Sequence, residues 1–199
     1  RKYGGGGELL ELKNGHIFVM QHPVTTEYEL ARKQIFETLH AVKKSGLTTL
    51  WFWPNVDAGS DGTSKGIRSF RELEKPENIH FFKNMLPNDF LKLLYNTRCF
   101  VVNSSVAIRE CAYLDIPAVN IGSRQGGRDR GHNVIDVAHK QADILEAIKK
   151  QYAVGRYTVD PIYGDGAAGA EIAKILTECS LSVEKRITYQ GEKVYAKVA

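Results

Sequence analysis

The chain alternates short apolar runs with stretches whose apolar residues recur every three or four positions. The runs are typical of buried strands, and the spaced stretches are typical of amphipathic helices. Strands are predicted at residues 17–20, 49–53, 79–82, 99–102, 117–121 and 133–137. Helices are predicted at about residues 26–44, 64–74, 88–96, 140–151 and 168–179, and one more begins at the serine pair after the fourth strand. Gly46 is predicted to end the first of these helices.

Strands that are continuous apolar runs and alternate with helices are typical of a parallel sheet covered on both faces. The chain is therefore predicted to be an α/β protein with a doubly wound, Rossmann-like sheet. We expect this domain at residues 16–180, after a linker or domain start at 1–15 and before a trailing segment at 181–199. Four glycines at residues 4–7 favour a flexible linker, because the Gly-Lys-Ser/Thr ending of a phosphate-binding loop is absent.

Composition narrows the classes of partner. The formal net charge is +4 and the basic residues are scattered, so we expect no nucleic acid. Apolar runs stay well below the roughly 20 residues that span a bilayer, and no signal peptide is recognisable, so we expect no membrane partner. Cys99, Cys111 and Cys179 are odd in number and lack C-x-x-C spacing, which indicates buried, reduced thiols in a cytoplasmic protein. The histidines show no metal-ligand spacing, so no metal is predicted.

Polar side chains follow four of the predicted strands at the point where each strand ends. These residues are His22, Asn55, the pair Ser104 and Ser105, and Arg124 with Gln125 in a glycine-rich loop. Ligands of doubly wound sheets bind beyond the carboxyl ends of the strands. The sequence therefore predicts that these side chains meet at one site.

The serine pair stands where the helix after the fourth strand is predicted to begin. The first turn of a helix presents unpaired N–H groups and the positive end of the peptide dipoles, which suits a phosphate or diphosphate. On that helix Glu110 lies roughly 9 Å further along, where its carboxylate can accept hydrogen bonds from ribose hydroxyls. The same residues also fit an ordinary helix N-cap followed by a solvated glutamate.

Three of these residues leave two interpretations open. His22 can donate to a phosphate or carry a proton near neutral pH, or it is a loop histidine satisfied by its neighbours. Asn55 can bind a sugar hydroxyl or a phosphate oxygen, or form an Asx turn with Asp57. The planar donors of Arg124 suit a diphosphate or a carboxylate, and nearby glycines favour this over a plain surface arginine.

Five short motifs occur in a fixed order along the chain. They are Gln21–Thr25, Pro54–Ser60, Asn103–Glu110, Gly122–Gln125 and Tyr163–Gly166. Together they resemble the carboxyl-terminal half of hydrolysing UDP-N-acetylglucosamine 2-epimerases, the branch that feeds sialic-acid-type sugar synthesis, and the resemblance covers roughly residues 16–180. The resemblance implies one Rossmann-like half of a glycosyltransferase-B architecture. Its acid–base carboxylates belong to an amino-terminal domain that this chain lacks, so we expect a piece of a larger protein.

The resemblance also implies roles for the individual residues. Ser104 and Ser105 are expected to hold the diphosphate of UDP, and Glu110 the ribose hydroxyls. Arg124 is expected beside the phosphates, with Gln125 in the same binding motif. The resemblance further implies ligand contacts for Asn55 near the phosphates, a catalytic His22 at the reacting end of the sugar, and backbone at residues 85–86 against the uracil.

The reaction implied by the resemblance converts UDP-N-acetylglucosamine and water to N-acetylmannosamine and UDP through a glycal, with no cofactor. The isolated chain is expected to bind UDP weakly and to catalyse little. Lys65 and Arg68 fall where animal members bind a feedback nucleotide sugar, although Lys65 replaces a family arginine. Two alternatives stay open: a stand-alone nucleotide-binding or regulatory module, and the donor-binding half of a UDP-sugar glycosyltransferase. A homo-oligomer is compatible with each of them.

Overall fold

The structure is a computed structural model that describes residues 3, 5–7, 10–13 and 15–180. Over these residues it contains six strands: β1 (Ile17–Met20), β2 (Thr49–Phe52), β3 (Ile79–Phe82), β4 (Cys99–Val102), β5 (Ala118–Ile121) and β6 (Val134–Val137). Each coincides with a predicted strand to within one residue. The predicted trailing segment at 181–199 lies outside the described residues, as do residues 1, 2, 4, 8, 9 and 14 of the predicted linker.

The strands form one parallel sheet in the order β3-β2-β1-β4-β5-β6. β1 pairs with β2 on one side and with β4 on the other, where Met20 lies opposite Val102. The strand order reverses between β1 and β4, and doubly wound sheets bind ligands beyond the carboxyl ends at such a point. The predicted doubly wound, Rossmann-like sheet is confirmed.

The described part of the chain contains six α-helices. They are α1 (Ala31–Ser45), α2 (Ser60–Glu74), α3 (Pro87–Tyr95), α4 (Glu110–Tyr113), α5 (Gln141–Val154) and α6 (Ala168–Glu178). Gly46 ends α1 in the left-handed conformation, with φ of 69°, and its N–H donates to the carbonyl of Lys43. Gly46 therefore ends the first helix as predicted.

The two faces of the sheet bury different helices because successive residues of a strand point to opposite sides. Ile17 and Val19 of β1 belong to a cluster that includes buried residues of α1, α2 and α5. Phe18, between them, belongs to a second cluster with residues of α3 and α4. The central strand is thus fully covered, which explains why its sequence is a continuous apolar run.

The first predicted helix begins later than expected. Residues Thr25–Leu30 form a 3-10 segment that is interrupted at Glu27, with φ of −130° and ψ of 28°, and α1 begins only at Ala31. The Glu27 carboxylate accepts hydrogen bonds from Ser123 Oγ and Gln34 Nε2, both at 2.6 Å. These side-chain bonds from the β5 loop and from α1 hold Glu27 outside helical geometry.

The prediction of a continuous helix after the fourth strand is wrong. Ser104 is extended, Ser105–Ala107 form a 3-10 turn, and α4 begins only at Glu110. The Ala107 carbonyl, which a continuous helix would pair with the N–H four residues on, accepts a hydrogen bond from Asn133 Nδ2 at 3.2 Å. Segments this short carry little of a helix dipole, so the predicted anion site would have to rely on side chains and local N–H groups.

The cysteines are only partly as predicted. All three are free thiols, and Cys99 on β4 and Cys111 on α4 are buried. Burial raises the pKa of both thiols above the ordinary value. Cys179 is exposed, which contradicts the expectation of three buried thiols, because it follows α6, a helix whose residues are all exposed.

Contacts divide the chain into two units, Arg1–Tyr163 and Gly164–Ala199. The first contains the sheet and α1 to α5, and Gly6 extends its β3 edge through two antiparallel hydrogen bonds with Phe81. The second contains α6. The domain limits at residues 16 and 180 stay a prediction. None of the helices in the described part of the chain is long and apolar enough to cross a bilayer.

Candidate functional site

A cleft of about 460 Å³ lies beyond the carboxyl ends of β1, β2, β4 and β5. It is lined by His22, Asn55, Ser104, Ser105, Arg124, Gln125 and Arg128. Six of these residues are predicted site residues, so the loops that leave four neighbouring strands meet as the sequence predicts. The volume lies within the range of about 300–1,000 Å³ that is typical of small-molecule sites.

A larger cavity, of about 1110 Å³, lies at the opposite end of the sheet. His16 and Arg98, which precede β1 and β4, contribute to its lining, as does Met85 of the predicted uracil contact, but the predicted site residues that follow β1, β2, β4 and β5 do not. Sheets of this topology bind ligands at the carboxyl ends of their strands. We therefore place the candidate site in the smaller cleft.

His22 is held in one orientation at the end of β1. Its Nδ1 atom accepts a hydrogen bond from the backbone N–H of Asn55 at 3.0 Å. Because Nδ1 is an acceptor, the neutral ring carries its proton on Nε2. The side chain is buried, with 4% of the residue exposed, yet it contributes to the cleft lining. The ring can therefore act as a donor at the cleft.

The charge of His22 is set by its surroundings. Burial and, to a smaller extent, the positive charge of the nearby Arg124 guanidinium lower the pKa of His22 to about 4, against a weaker opposing effect of the Asp57 carboxylate. The imidazole is uncharged at neutral pH as a result. Of the two functional roles left open by the sequence, the geometry favours the phosphate donor over the neutral-pH proton carrier.

The lowered pKa of His22 predicts a pH dependence of stability. The unfolded chain binds a proton at His22 below about pH 6.5, whereas the folded chain does so only below about 4, so folding free energy is lost as the pH falls through this window. The full effect is about 3 kcal/mol. Burial lowers the pKa of His16 and His139 as well, so these two residues also reduce the free energy of unfolding as the pH falls.

Urea unfolding between pH 5 and 7 checks this expectation. The free energy of unfolding of the wild type should rise with pH and level off near pH 7. A His22→Asn variant, which lacks this titrating group, should show a shallower rise. Equal slopes in the two proteins would contradict the burial of an uncharged His22.

Ser104 offers an unused hydroxyl to the cleft. Its Oγ atom is buried and has no hydrogen-bond partner among the described residues, and only 9% of the residue is exposed. Buried hydroxyl groups are normally paired. A ligand oxygen at this end of the cleft would complete its bonding, and Ser105 lines the cleft directly beside it.

The loop after β5 brings two arginines and an amide to the cleft. It turns at Gly122, whose φ of 74° favours glycine and whose missing Cβ leaves room for the His139 ring. Arg124 Nη1 and Gln125 Nε2 donate to the carbonyl of Asn103, at 3.3 and 3.0 Å. Arg124 Nη2 also lies 3.8 Å from Asp57 Oδ2.

Arg130 anchors this loop to the outer strand of the sheet. Its Nη2 atom donates to the carbonyl of Gln125 at 3.0 Å, and its Nε lies 2.7 Å from Oδ2 of Asp136 on β6. The other oxygen of Asp136 accepts a hydrogen bond of 2.6 Å from the buried Asn120. The backbone that carries the cleft's donors is therefore tied to the sheet.

Arg128 is a lining residue that the sequence prediction did not single out. It adds a second arginine to the cleft lining, and Asp57, 3.8 Å from Arg124 Nη2, pairs with the first. Its position four residues after Arg124, in a Gly-Gly-Arg sequence, was the available signal. The excess of positive charge suits an anionic ligand.

Glu110 is placed differently from the other predicted residues. It does not appear among the residues that line the cleft, and its Oε2 atom is buried without a hydrogen-bond partner in the described part of the chain. The expected spacing along a common helix with Ser104 does not apply, because that helix is interrupted. Its contact with ribose stays a prediction.

The basic residues of α2 lie apart from the cleft. Lys65 and Arg68 are exposed, and the Arg68 guanidinium lies 6.0 Å from the ring centroid of Trp53. They do not line the cleft. Among the described residues, no group of three or more His, Cys, Asp or Glu side chains is arranged to hold a metal ion.

Comparison with known proteins relates this chain to one family. Residues 7–177 match the family model described as UDP-N-acetylglucosamine 2-epimerase. A UDP-N-acetylglucosamine 2-epimerase of Neisseria meningitidis serogroup B is 30% identical over 149 residues, which are 74% of this chain and 38% of that protein. A hydrolysing UDP-N,N'-diacetylbacillosamine 2-epimerase of Legionella pneumophila is 27% identical over 158 residues, 79% of this chain and 41% of that protein.

A solved structure agrees with these sequence matches. The UDP-N-acetylglucosamine 2-epimerase from Neisseria meningitidis bound to UDP-GlcNAc superposes with a TM-score of 0.66 and 16% identity, over 83% of this chain and 46% of that one. The likeness confirms the expected fold class, a Rossmann-like half of a glycosyltransferase-B architecture. The chain spans about two fifths of the length of the two curated relatives. With a family match over most of its residues, the chain belongs to the UDP-N-acetylglucosamine 2-epimerase family.

Proposed function

We propose that this chain is the UDP-binding, carboxyl-terminal domain of a hydrolysing UDP-N-acetylglucosamine 2-epimerase. The observation that carries the proposal is the cleft itself, which is lined by Ser104 with its unpaired hydroxyl, by the two arginines Arg124 and Arg128, and by His22. The Neisseria relative with the same fold is bound to UDP-GlcNAc, and the Legionella relative is named as hydrolysing. Both support the proposed ligand and reaction.

The proposed ligand lies with its diphosphate in the cleft. Ser104 and Ser105 donate hydroxyl protons to the phosphate oxygens, and Arg124 supplies positive charge beside them. The Asn55 side chain contributes a further polar contact near the phosphates. Gln125 lines the same cleft, and its side-chain amide donates to the Asn103 carbonyl. Glu110 accepts hydrogen bonds from the ribose hydroxyls with its unpaired oxygen.

The proposed reaction has an elimination and a hydration. A base removes the proton from C2 of the sugar, the C1–O bond to UDP breaks, and a C1=C2 double bond forms. Water then adds its hydroxyl to C1 and a proton to C2, which gives N-acetylmannosamine. Negative charge builds on the departing diphosphate, where the donors of the cleft stabilise it.

The acid–base groups of this reaction are assigned to a second domain. The curated relatives are more than twice as long as the matched segment, which leaves room for an amino-terminal domain on the other side of the ligand. The isolated chain is therefore expected to bind UDP weakly and to catalyse little. A cytoplasmic location, a place in sialic-acid-type sugar synthesis and homo-oligomer formation stay predictions.

Calorimetry with UDP and with inorganic diphosphate tests the proposal. The wild-type chain is expected to bind both ligands at one site. Glu110→Ala should weaken the affinity for UDP at least about tenfold, which is the loss expected for a charge-assisted hydrogen bond. The affinity for diphosphate should change by no more than about twofold. Glu146→Ala removes an exposed carboxylate of α5 and should change neither ligand.

Two outcomes would contradict these assignments. A folded wild-type chain that gives no heat with UDP would reject the proposed ligand. If Glu110→Ala weakened the affinities for UDP and for diphosphate equally, only the contact between Glu110 and ribose would be rejected, and the proposed ligand would stand.

A further inference from the structure

Asn103 joins three of the loops that form the cleft. It follows β4 and is fully buried. Its Oδ1 accepts the backbone N–H of His22 at 2.8 Å, and its Nδ2 donates to the backbone carbonyl of His22 at 2.7 Å. Its own carbonyl accepts the hydrogen bonds from Arg124 and Gln125. Asn103, which itself belongs to the loop after β4, is therefore hydrogen-bonded to the loop after β1 and to the loop after β5.

The side chain of Asn103 continues the β1–β4 ladder where the backbone pairing stops. The last paired residues are Met20 and Val102. Beyond them, the carboxamide of Asn103 presents one acceptor and one donor to His22, as a peptide group of a neighbouring strand would. This reciprocal pair fixes the path of the chain at His22, which places Nδ1 against the N–H of Asn55.

We propose that Asn103 is a positioning residue that holds His22 as an Nε2–H donor toward the cleft and sets it relative to Arg124 and Gln125 before a ligand binds. The inference rests on the proposed function, since the group being positioned serves the diphosphate of UDP. Asn103 contributes no atom to the cleft lining, so its effect on the ligand passes through the residues that it holds.

Three charged side chains lie at the cleft near His22. Arg124 and Arg128 belong to the loop after β5, Asp57 to the loop after β2, and the remaining residues of the cleft lining are uncharged. None of these charged side chains is bonded by Asn103 except Arg124, through the backbone carbonyl. Truncating the carboxamide therefore frees His22 without removing a charge.

The test compares Asn103→Ala with Gln151→Ala. Gln151 is also a fully buried amide; its Nε2 donates to two backbone carbonyls at 2.8 Å, but at the amino end of β5, away from the cleft. Both variants lose buried hydrogen bonds, so a general loss of stability affects both. Only Asn103→Ala should alter His22 and the binding of UDP.

Two readouts separate positioning from stability. In ¹⁵N NMR of the histidine rings, wild type and Gln151→Ala should keep His22 protonated on Nε2 with an unchanged pKa, whereas the pKa in Asn103→Ala should rise toward the ordinary value. In calorimetry, Asn103→Ala should weaken the affinity for UDP at least about tenfold. In the full-length protein the same substitution should lower kcat by up to about a hundredfold, as expected when binding groups are misplaced. Gln151→Ala should stay within about twofold in both measurements.

The outcomes distinguish this inference from the proposed function. A wild-type chain that does not bind UDP overturns the proposed function. A chain that binds UDP equally well with and without the Asn103 carboxamide overturns the positioning role. Where Asn103→Ala does not fold, the wild type decides: a His22 ring protonated on Nδ1, or Asn103 side-chain amide protons that exchange freely with water, overturns it as well.

Discussion

Replacing His22 with alanine is expected to slow UDP release by the full-length protein at least about a hundredfold, the usual cost of losing one donor to a developing negative charge. The donor is the Nε2–H group, because Nδ1 is occupied by the N–H of Asn55. The ring is already neutral at neutral pH, so the donor is present in its working form without a proton transfer. The rate should therefore show no titration of His22 between pH 6 and 8.

Two further variants make this result specific. His22→Gln retains an N–H donor on a side chain of similar reach and should recover part of the lost rate. His132→Ala removes an exposed histidine outside the cleft, paired with Asp160, and should leave the rate unchanged. Release of UDP is followed at neutral pH together with the sugar product. An unchanged rate in His22→Ala would remove His22 from the catalytic residues.

The sugar product separates the proposed reaction from its alternatives. Free N-acetylmannosamine together with UDP supports the hydrolysing epimerase. Transfer of the sugar to an added acceptor, without free N-acetylmannosamine, would instead indicate a UDP-sugar glycosyltransferase. Binding of UDP by the full-length protein with no turnover would indicate a nucleotide-binding module.

Replacing Phe18 with alanine is expected to lower the free energy of unfolding by about 3–5 kcal/mol. Phe18 lies fully buried on the central strand β1, with its ring centroid 5.0 Å from Phe52, 5.3 Å from Phe90 and 5.0 Å from Phe100. The cavity left by its ring would be bordered by three aromatic side chains on two other strands and α3. Such a site cannot collapse without moving the sheet.

Urea unfolding followed by circular dichroism measures this loss. Leu73→Ala is the matched control, because Leu73 is 79% exposed on α2 and its truncation should change the free energy of unfolding by no more than about 0.5 kcal/mol. A loss below about 1 kcal/mol in Phe18→Ala would show that the aromatic cluster is not packed as described.

Much of the fold was predictable because the sheet is parallel and buried on both faces. Each strand is then a continuous apolar run, and the strand ends locate the loops that form the site. The convergence of His22, Ser104 and Arg124 followed from topology alone. No knowledge of side-chain packing was needed for that step.

The parts that could not be predicted depend on contacts between distant residues. The helix expected after Ser104 is interrupted where Asn133, some 26 positions from Ala107, takes the Ala107 carbonyl. The partner of the Asn103 side chain is His22, 81 positions away, and nothing in the local sequence indicates that pairing. The local sequence pattern indicates only the intrinsic helix or strand propensity of a segment, and hydrogen bonds to distant residues can override that propensity.

The attachment of the β5 loop to β6 extends the binding site beyond the residues that a ligand can touch. Asp136 is a half-exposed carboxylate at the rim of the sheet, where a substitution is ordinarily harmless. Here it is the counter-charge for Arg130, and through that arginine it restrains the backbone of Gln125. We therefore expect a substitution of Asp136, on the outermost strand, to weaken binding of the proposed nucleotide, although Asp136 does not line the cleft.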